Sequence, residues 1–196
     1  MSAPALSVVK LGGSLLGDRA RLRAILAGLA AGAEGPCIVV PGGGPFADAV
    51  RREQASAGFD DATAHRLALD AMGRMSDHLR SLETLIAIIR NPAEAARRAR
   101  AGGLPVWDPA DLRSGRPDIP ECWSVTSDSL ALWLAAETGA ERCLLVKAAP
   151  CPPGASPTEL ARLGLVDAAF PDFAARYAGR IVVRGADEAT RPRRAA

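Results

Sequence analysis

Short β-branched runs alternate with longer amphipathic stretches along this chain, and that alternation confines it to a mainly parallel sheet covered by helices. The runs predict strands over 7–11, 37–40, 104–107, 143–147 and 181–183. The stretches between them predict helices over 19–33, 46–57, 62–90, 92–101, 128–138 and 157–162. Several helices carry their own start signals. Asn91-Pro92 and Asp108-Pro109 each set a capping side chain before a proline, and Ser156-Pro157-Thr158-Glu159 has the spacing of a capping box. Gly102-Gly103 and Gly139 stand where helices should stop.

The most regular stretch is 64–90, where Ala68, Met72, Met75, Leu79, Leu82, Ile86 and Ile89 recur at alternating steps of four and three. Such a seam needs a partner surface. The chain's own sheet is one candidate, a helix–helix contact in a homodimer or higher homo-oligomer is the other, and different parts of the seam can serve both. The Pro-rich segment 148–157 reads as a surface loop.

A chain of 196 residues can bury a core as a single domain, here 1–196, without disulfides or structural metal. Lys and Arg number 24 against 22 Asp and Glu, and the basic residues are scattered apart from a tail, Arg191, Arg193 and Arg194, read as a solvated end. Nothing forms a nucleic-acid-binding stripe, so nucleic acid is not an expected partner. Cys37, Cys122, Cys143 and Cys151 form no C-x-x-C pair and sit mostly in apolar contexts, which fits free thiols in a reducing cytoplasm. No basic-then-apolar leader opens the chain and no apolar run approaches membrane-spanning length, so neither secretion nor membrane insertion is expected. The two histidines lie far from any cysteine pair, and a protein-ligated metal is not expected either.

The chemistry concentrates where apolar runs end. Val8-Val9 leads into Lys10-Leu11-Gly12-Gly13-Ser14, and the run 37–40 leads into Pro41-Gly42-Gly43-Gly44. Glycines let backbone N–H groups approach oxygens that a Cβ would block, so two such turns after two strands predict a site gripping a polyphosphate from both sides. Lys10 ends an otherwise apolar strand, where an ammonium is costly unless an anion or carboxylate pairs with it. Lys147 repeats the pattern after Leu144-Leu145-Val146, so two cations can converge at the carboxyl edge of the sheet, where open α/β folds place their ligands. Asp128, in Thr126-Ser127-Asp128-Ser129-Leu130, has two readings. It complements a helix dipole, or it orients lysine ammonium groups around a transferring phosphoryl. His65 is a packing residue or a substrate contact, and His78, beside Asp77 and Arg80, lies on a wet face. Both the full G-x-G-x-x-G and the G-x-x-x-x-G-K-[ST] patterns are absent, which removes the dinucleotide-binding and P-loop readings.

Taken together, Val8-Val9-Lys10-Leu11-Gly12-Gly13-Ser14, Pro41-Gly42-Gly43-Gly44 and Thr126-Ser127-Asp128-Ser129-Leu130 resemble the amino acid kinase superfamily, which includes acetylglutamate, aspartate, glutamate 5-, uridylate and isopentenyl phosphate kinases. The resemblance implies a three-layer αβα sandwich of the carbamate kinase-like type and an ATP-dependent phosphotransferase. Its strand-end lysine falls on Lys10, its phosphate-facing glycines on Gly12, Gly13, Gly43 and Gly44, and its lysine-organising aspartate on Asp128, with Ser14 and Gly42 in the same turns. Lys147 is the candidate second lysine. His65, Trp123, Ser124 and Thr126 are the acceptor-side candidates, ATP the donor, and Mg2+ is held mainly by nucleotide phosphates.

Further stretches, 41–51, 65–68, 123–130, Val166-Asp167 and Phe170-Pro171, are similar to the methanofuran-biosynthesis branch of the superfamily. The implied acceptor is a small-molecule phosphate, 5-(aminomethyl)-3-furanmethanol phosphate, taken to its diphosphate. Other carboxylate or phosphate acceptors, and a non-catalytic nucleotide- or anion-binding role, stand as alternatives. One departure is plain: after Val146 such kinases commonly continue Thr-Asp-Val-Asp-Gly, whereas this chain reads Lys147-Ala148-Ala149-Pro150-Cys151-Pro152-Pro153-Gly154. The nucleotide-side loop, about 148–162, is therefore expected to be shortened and differently built.

Overall fold

The computed structural model describes residues 5–185. Arg191, Arg193 and Arg194 lie outside the described residues. Six strands, β1 (Ser7–Leu11), β2 (Cys37–Pro41), β3 (Ile86–Ile89), β4 (Leu104–Trp107), β5 (Arg142–Lys147) and β6 (Arg180–Gly185), form one sheet in the order β3-β4-β2-β1-β5-β6. Every pairing is parallel. Helices α1 (Arg19–Ala30), α2 (Gly44–Ala57), α3 (Asp61–Leu82), α4 (Pro92–Arg100), α5 (Ser127–Glu137), α6 (Pro157–Arg162) and α7 (Phe170–Arg176) accompany it. Four begin on a local cap: the side chains of Asp18, Asp60, Asn91 and Ser156 accept the backbone N–H of Arg21, Thr63, Glu94 and Glu159. None of the described helices is long and apolar enough to cross a membrane.

The predicted helix over 62–90 is corrected by the structure. It stops at Leu82, Glu83 turns extended, and Ile86 and Ile89 belong to β3, paired with Leu104 and Trp107 of β4. The spacing of these isoleucines continues the helical seam, but Ile86-Ala87-Ile88-Ile89 is a β-branched run closed by Asn91-Pro92, and the edge of the sheet supplies a partner no helix face offers. Helix α7 has no counterpart among the predicted helices. Helix α1 ends three residues early because Gly32 takes φ +82° just beyond it.

Two apolar cores lie on opposite faces of the sheet, because side chains alternate along each strand. Val8 of β1 and Cys143 and Leu145 of β5 face the core built with α4, α5 and α7; Val9 and Leu11, with Leu144 and Val146, face the core built with α1. Helix α3 straddles the sheet, giving Leu69 and Met72 to the first core and Met75 and Leu79 to the second. Most of the seam is thus buried within this chain. The same alternation aims Lys10 and Lys147 toward α5. That helix is buried around its whole circumference from Ser127 to Ala135. A charge in its first turn needs partners from the strands beneath it.

The topology also fixes where the cleft opens. The chain leaves β1 for β2 on one side, while β5 pairs with β1 on the other, so the connections after β1, β2 and β5 diverge at the carboxyl ends of these strands.

Candidate active site

Lys10 and Lys147 converge on one carboxylate. The Lys10 ammonium lies 2.8 Å from Asp128 Oδ1, and that of Lys147 lies 2.7 Å from Oδ1 and 2.8 Å from Oδ2. Lys10 and Asp128 are only 4% and 6% exposed. Burial opposes charge on Asp128, but the two ammonium groups outweigh it and hold the carboxyl below its ordinary value. Burial and the repulsion of Lys10 bring Lys147 down to about 8, against the attraction of Asp128. Two cations sharing one anion leave the trio with a positive charge in a poorly solvated place, which is chemistry suited to an incoming phosphate oxygen.

Helix α5 is braced from outside. Its own N-cap residue, Thr126, makes no capping hydrogen bond, and Asp167 takes that role across the cleft. The Asp167 carboxylate accepts from Thr126 N (2.9 Å), Thr126 Oγ1 (2.8 Å), Ser129 N (3.0 Å) and the Ser129 hydroxyl. Burial raises the Asp167 carboxyl above its ordinary value, while these donors oppose the rise and Asp128 adds to it. The brace fixes the turn that carries Asp128.

The two glycine turns pack against each other. A Cβ on Gly13 would run into the backbone of Gly44, and one on Gly42 would come within 2.6 Å of Gly13 N. Gly12 N donates to Val146 O (3.0 Å) and Gly42 N to Leu11 O (2.8 Å), pinning both turns to the strand ends. Gly44 also takes φ +52°. Sequence reasoning explained the glycines by the approach of a ligand. Their contact with each other is a second reason, visible only in three dimensions.

Two cavities flank this seam. One, of about 420 Å³, is lined by Lys10, Lys147, Asp128, Asp167 and Gly12 and extends to Ala149 and Leu165. The other, of about 600 Å³, is lined by His65, Leu69, Met72, Gly43 and Leu130 among others. Gly13, Ser14, Arg51, Trp123 and Thr126 line both and mark where they meet. Gly42 and Gly44 line the larger one. His65 is buried beside Cys122, its Nδ1 3.4 Å from the carbonyl oxygen, and burial holds its imidazole below the usual histidine value.

Ser124 is the exception among the acceptor-side candidates. Its residue is exposed and lines neither cavity, because the turn that puts Trp123 and Thr126 into the cleft sends 124 outward, where its carbonyl accepts Ala169 N at 2.9 Å. Ser127 lines the larger cavity instead. Arg51 and Asp167 received no role from the sequence. Asp167 meets its partners from 38 and 41 residues away, and no local pattern announces such a contact. Among the described residues no group of three His, Cys, Asp or Glu could hold a metal ion.

Residues 5–89 match the Amino acid kinase family. Over 133 residues the chain is 25% identical to [5-(aminomethyl)furan-3-yl]methyl phosphate kinase of Methanocaldococcus jannaschii, a match spanning 65% of this chain and 58% of that protein's length. The uridylate kinase structure from Archaeoglobus fulgidus superposes at a TM-score of 0.69 with 14% identity, covering 95% of this chain and 94% of that one. The UMP kinase structure from Bacillus anthracis superposes at 0.70 with 17% identity, covering 93% and 88%. The resemblance to the amino acid kinase superfamily therefore stands on both sequence and fold, and the six-stranded parallel sheet between helices is the architecture of that fold.

Proposed function

We propose that this chain of the amino acid kinase fold is a kinase that moves the terminal phosphoryl group of ATP to an anionic small-molecule acceptor. The observation that carries the reading is the trio at the strand ends: two buried ammonium groups, Lys10 and Lys147, on the single buried carboxylate of Asp128. Phosphoryl transfer asks a protein for positioning and positive charge more than for covalent chemistry, and the trio offers both. ATP supplies the phosphoryl group. Lys10, Lys147 and the turn through Gly13 and Ser14 would hold its phosphates, with the Gly42–Gly44 turn packed against it and facing the acceptor side. The two ammonium groups and the cavity that they line together with Gly12, Gly13 and Ser14 suit a chain of phosphates. Mg2+ would ride on phosphate oxygens.

The acceptor enters the larger cavity. Its oxygen attacks the γ-phosphorus in line, a P–O bond forms, the bond to the β-phosphate oxygen breaks, and ADP leaves. If the acceptor is itself a phosphate, its oxygen is already anionic and no strong base is required; Asp128 keeps the lysines in place rather than removing a proton. The likeness to the Methanocaldococcus protein supports [5-(aminomethyl)furan-3-yl]methyl phosphate as that acceptor and its diphosphate as product.

Purified protein incubated with ATP–Mg2+ and this phosphate, followed by coupled ADP release and by phosphorus NMR of the product, tests the reading. Acceptor-dependent ADP and a new diphosphate signal, both lost in Lys10→Ala, are expected. Protein that ignores adenine nucleotides yet binds simple oxyanions is a binder, and the kinase reading fails. Transfer to acetylglutamate or uridylate in preference to the furan phosphate keeps the kinase and replaces the acceptor.

A further inference from the structure

We propose that Arg51, laid over the indole of Trp123 where the two cavities meet, grips the anionic group of the acceptor, and that the larger cavity selects a phosphomonoester carried on a compact, largely apolar body. The inference rests on the kinase reading above for the direction of transfer, but the binding itself is argued from the site.

The guanidinium carbon of Arg51 lies 4.3 Å from the centroid of the Trp123 ring. The ring is itself fixed: Trp123 Nε1 donates to Gln54 Oε1 at 2.6 Å, and the Gln54 amide donates to Phe59 O at 3.2 Å and Asp61 Oδ1 at 2.9 Å. Arg51 and Gln54 stand three residues apart on α2, so one helix face supplies both the cation and the brace for the surface beneath it. A guanidinium stacked on an aromatic face keeps its in-plane N–H edge free, which is the geometry that recognises phosphate oxygens two at a time.

Arg51 has a carboxylate neighbour, Asp48, at 3.1 Å, but the two side chains are 50% and 60% exposed. An exposed pair of this kind is loosely held, and a phosphate dianion can displace it. Position adds the decisive point. Lys10 and Lys147 line only the smaller cavity, and among the described residues Arg51 is the one Lys or Arg lining the larger. That cavity also offers apolar contact from Leu69, Met72 and Leu130, and the hydroxyl residues Ser14 and Ser127. It holds the exposed Asp48 already paired with Arg51, and the buried His65, whose depressed basicity makes it a hydrogen-bonding group rather than a second cation. An acceptor seated there has apolar contact for its body and one guanidinium for its charge. Because Arg51 reaches the junction shared with Gly13 and Thr126, the same cation offsets the repulsion between the acceptor's phosphate and the arriving phosphoryl group.

The test is equilibrium binding of [5-(aminomethyl)furan-3-yl]methyl phosphate and of its parent alcohol to the intact protein, read by calorimetry and by tryptophan fluorescence, with Trp123→Phe identifying the responding ring. Wild type is expected to prefer the phosphate. Arg51→Gln should lose about 10- to 100-fold in affinity for the phosphate and little for the alcohol, with a clearly smaller loss for ATP–Mg2+. Arg51→Lys should recover only part, since a lysine ammonium lacks the planar fork. Arg51→Gln binding the phosphate as wild type does, a wild type that shows no preference for it, or an equal loss of ATP binding overturns the proposal. The kinase reading fails separately: Arg51-dependent phosphate binding without any ADP formation retains the clamp and removes the kinase, whereas active enzyme indifferent to Arg51→Gln does the reverse.

Discussion

Replacing Lys147 with Met should make the protein more stable at neutral pH while disabling it. Lys147 is held charged in a place that disfavours charge: burial and the nearby Lys10 ammonium bring it from an ordinary 10.5 to about 8, even with Asp128 at 2.7 Å. Its side chain is 12% exposed, so solvent screening relieves little of that cost. Between pH 8 and 10.5 the unfolded chain keeps the Lys147 proton that the folded chain has released, so this residue makes stability rise with pH across that window. The difference amounts to about 3 kcal/mol in favour of the unfolded state below pH 8. Met keeps the aliphatic length without the charge, so Lys147→Met is expected to gain about 1–3 kcal/mol at pH 7 and nothing near pH 10.5.

Urea unfolding followed by far-ultraviolet circular dichroism at several pH values measures this. The comparison must be between the two proteins at each pH, because burial pushes the Cys37 thiol up to about 12 and raises the Tyr177 phenol, and both groups lower stability in alkali in wild type and variant alike. A variant less stable than wild type at pH 7, or a difference between the two that is flat from pH 7 to 10.5, refutes the reasoning. The gain in stability should come with lost transfer, since in the proposed reaction this strained cation is one of the two that hold the donor's phosphates.

Two other substitutions probe the scaffold of the site. Gly13→Ala places a methyl against the Gly44 backbone, so the turns must separate; thermal unfolding should report a loss of about 1–3 kcal/mol, and nucleotide affinity should fall with it. Asp167→Ala removes the brace on α5 and leaves Thr126 N and Ser129 N without their acceptor. It should cost about 1–2 kcal/mol in urea unfolding and lower kcat more than it raises the KM for ATP, because Asp128 loses its fixed position.

Much of this arrangement was legible in the chain itself. Lys10 and Lys147 each end a buried strand, where burial cost calls for an anionic partner; that the partner is Asp128 was one of two readings of that residue and the one the family resemblance implied. Strand alternation then aimed both toward α5, the helix that carries Asp128. The failures have physical causes too. Ile86 and Ile89 satisfy a helical step of three as well as a short strand, and the choice was made by pairing with β4, a partner that local sequence does not reveal. Ser124 sits between two cleft residues, but a tight turn rather than a regular element sets its direction. Asp167 acts across tens of residues through a tertiary contact. Arg51 looked like one more charge on an amphipathic helix until Trp123 came to rest beneath it.

The central claim, that the trio receives the phosphates of a nucleotide, is tested most directly by the protons that binding moves. An incoming polyphosphate must raise Lys147 from about 8 toward its ordinary value, so binding at pH 8.5–9 should draw protons from the buffer. Calorimetric titration with ATP–Mg2+ in two buffers of different ionisation heat is expected to show uptake approaching one proton in wild type and none attributable to this site in Lys147→Met. Absence of nucleotide binding, or binding whose proton uptake is identical in the two proteins, would contradict the account.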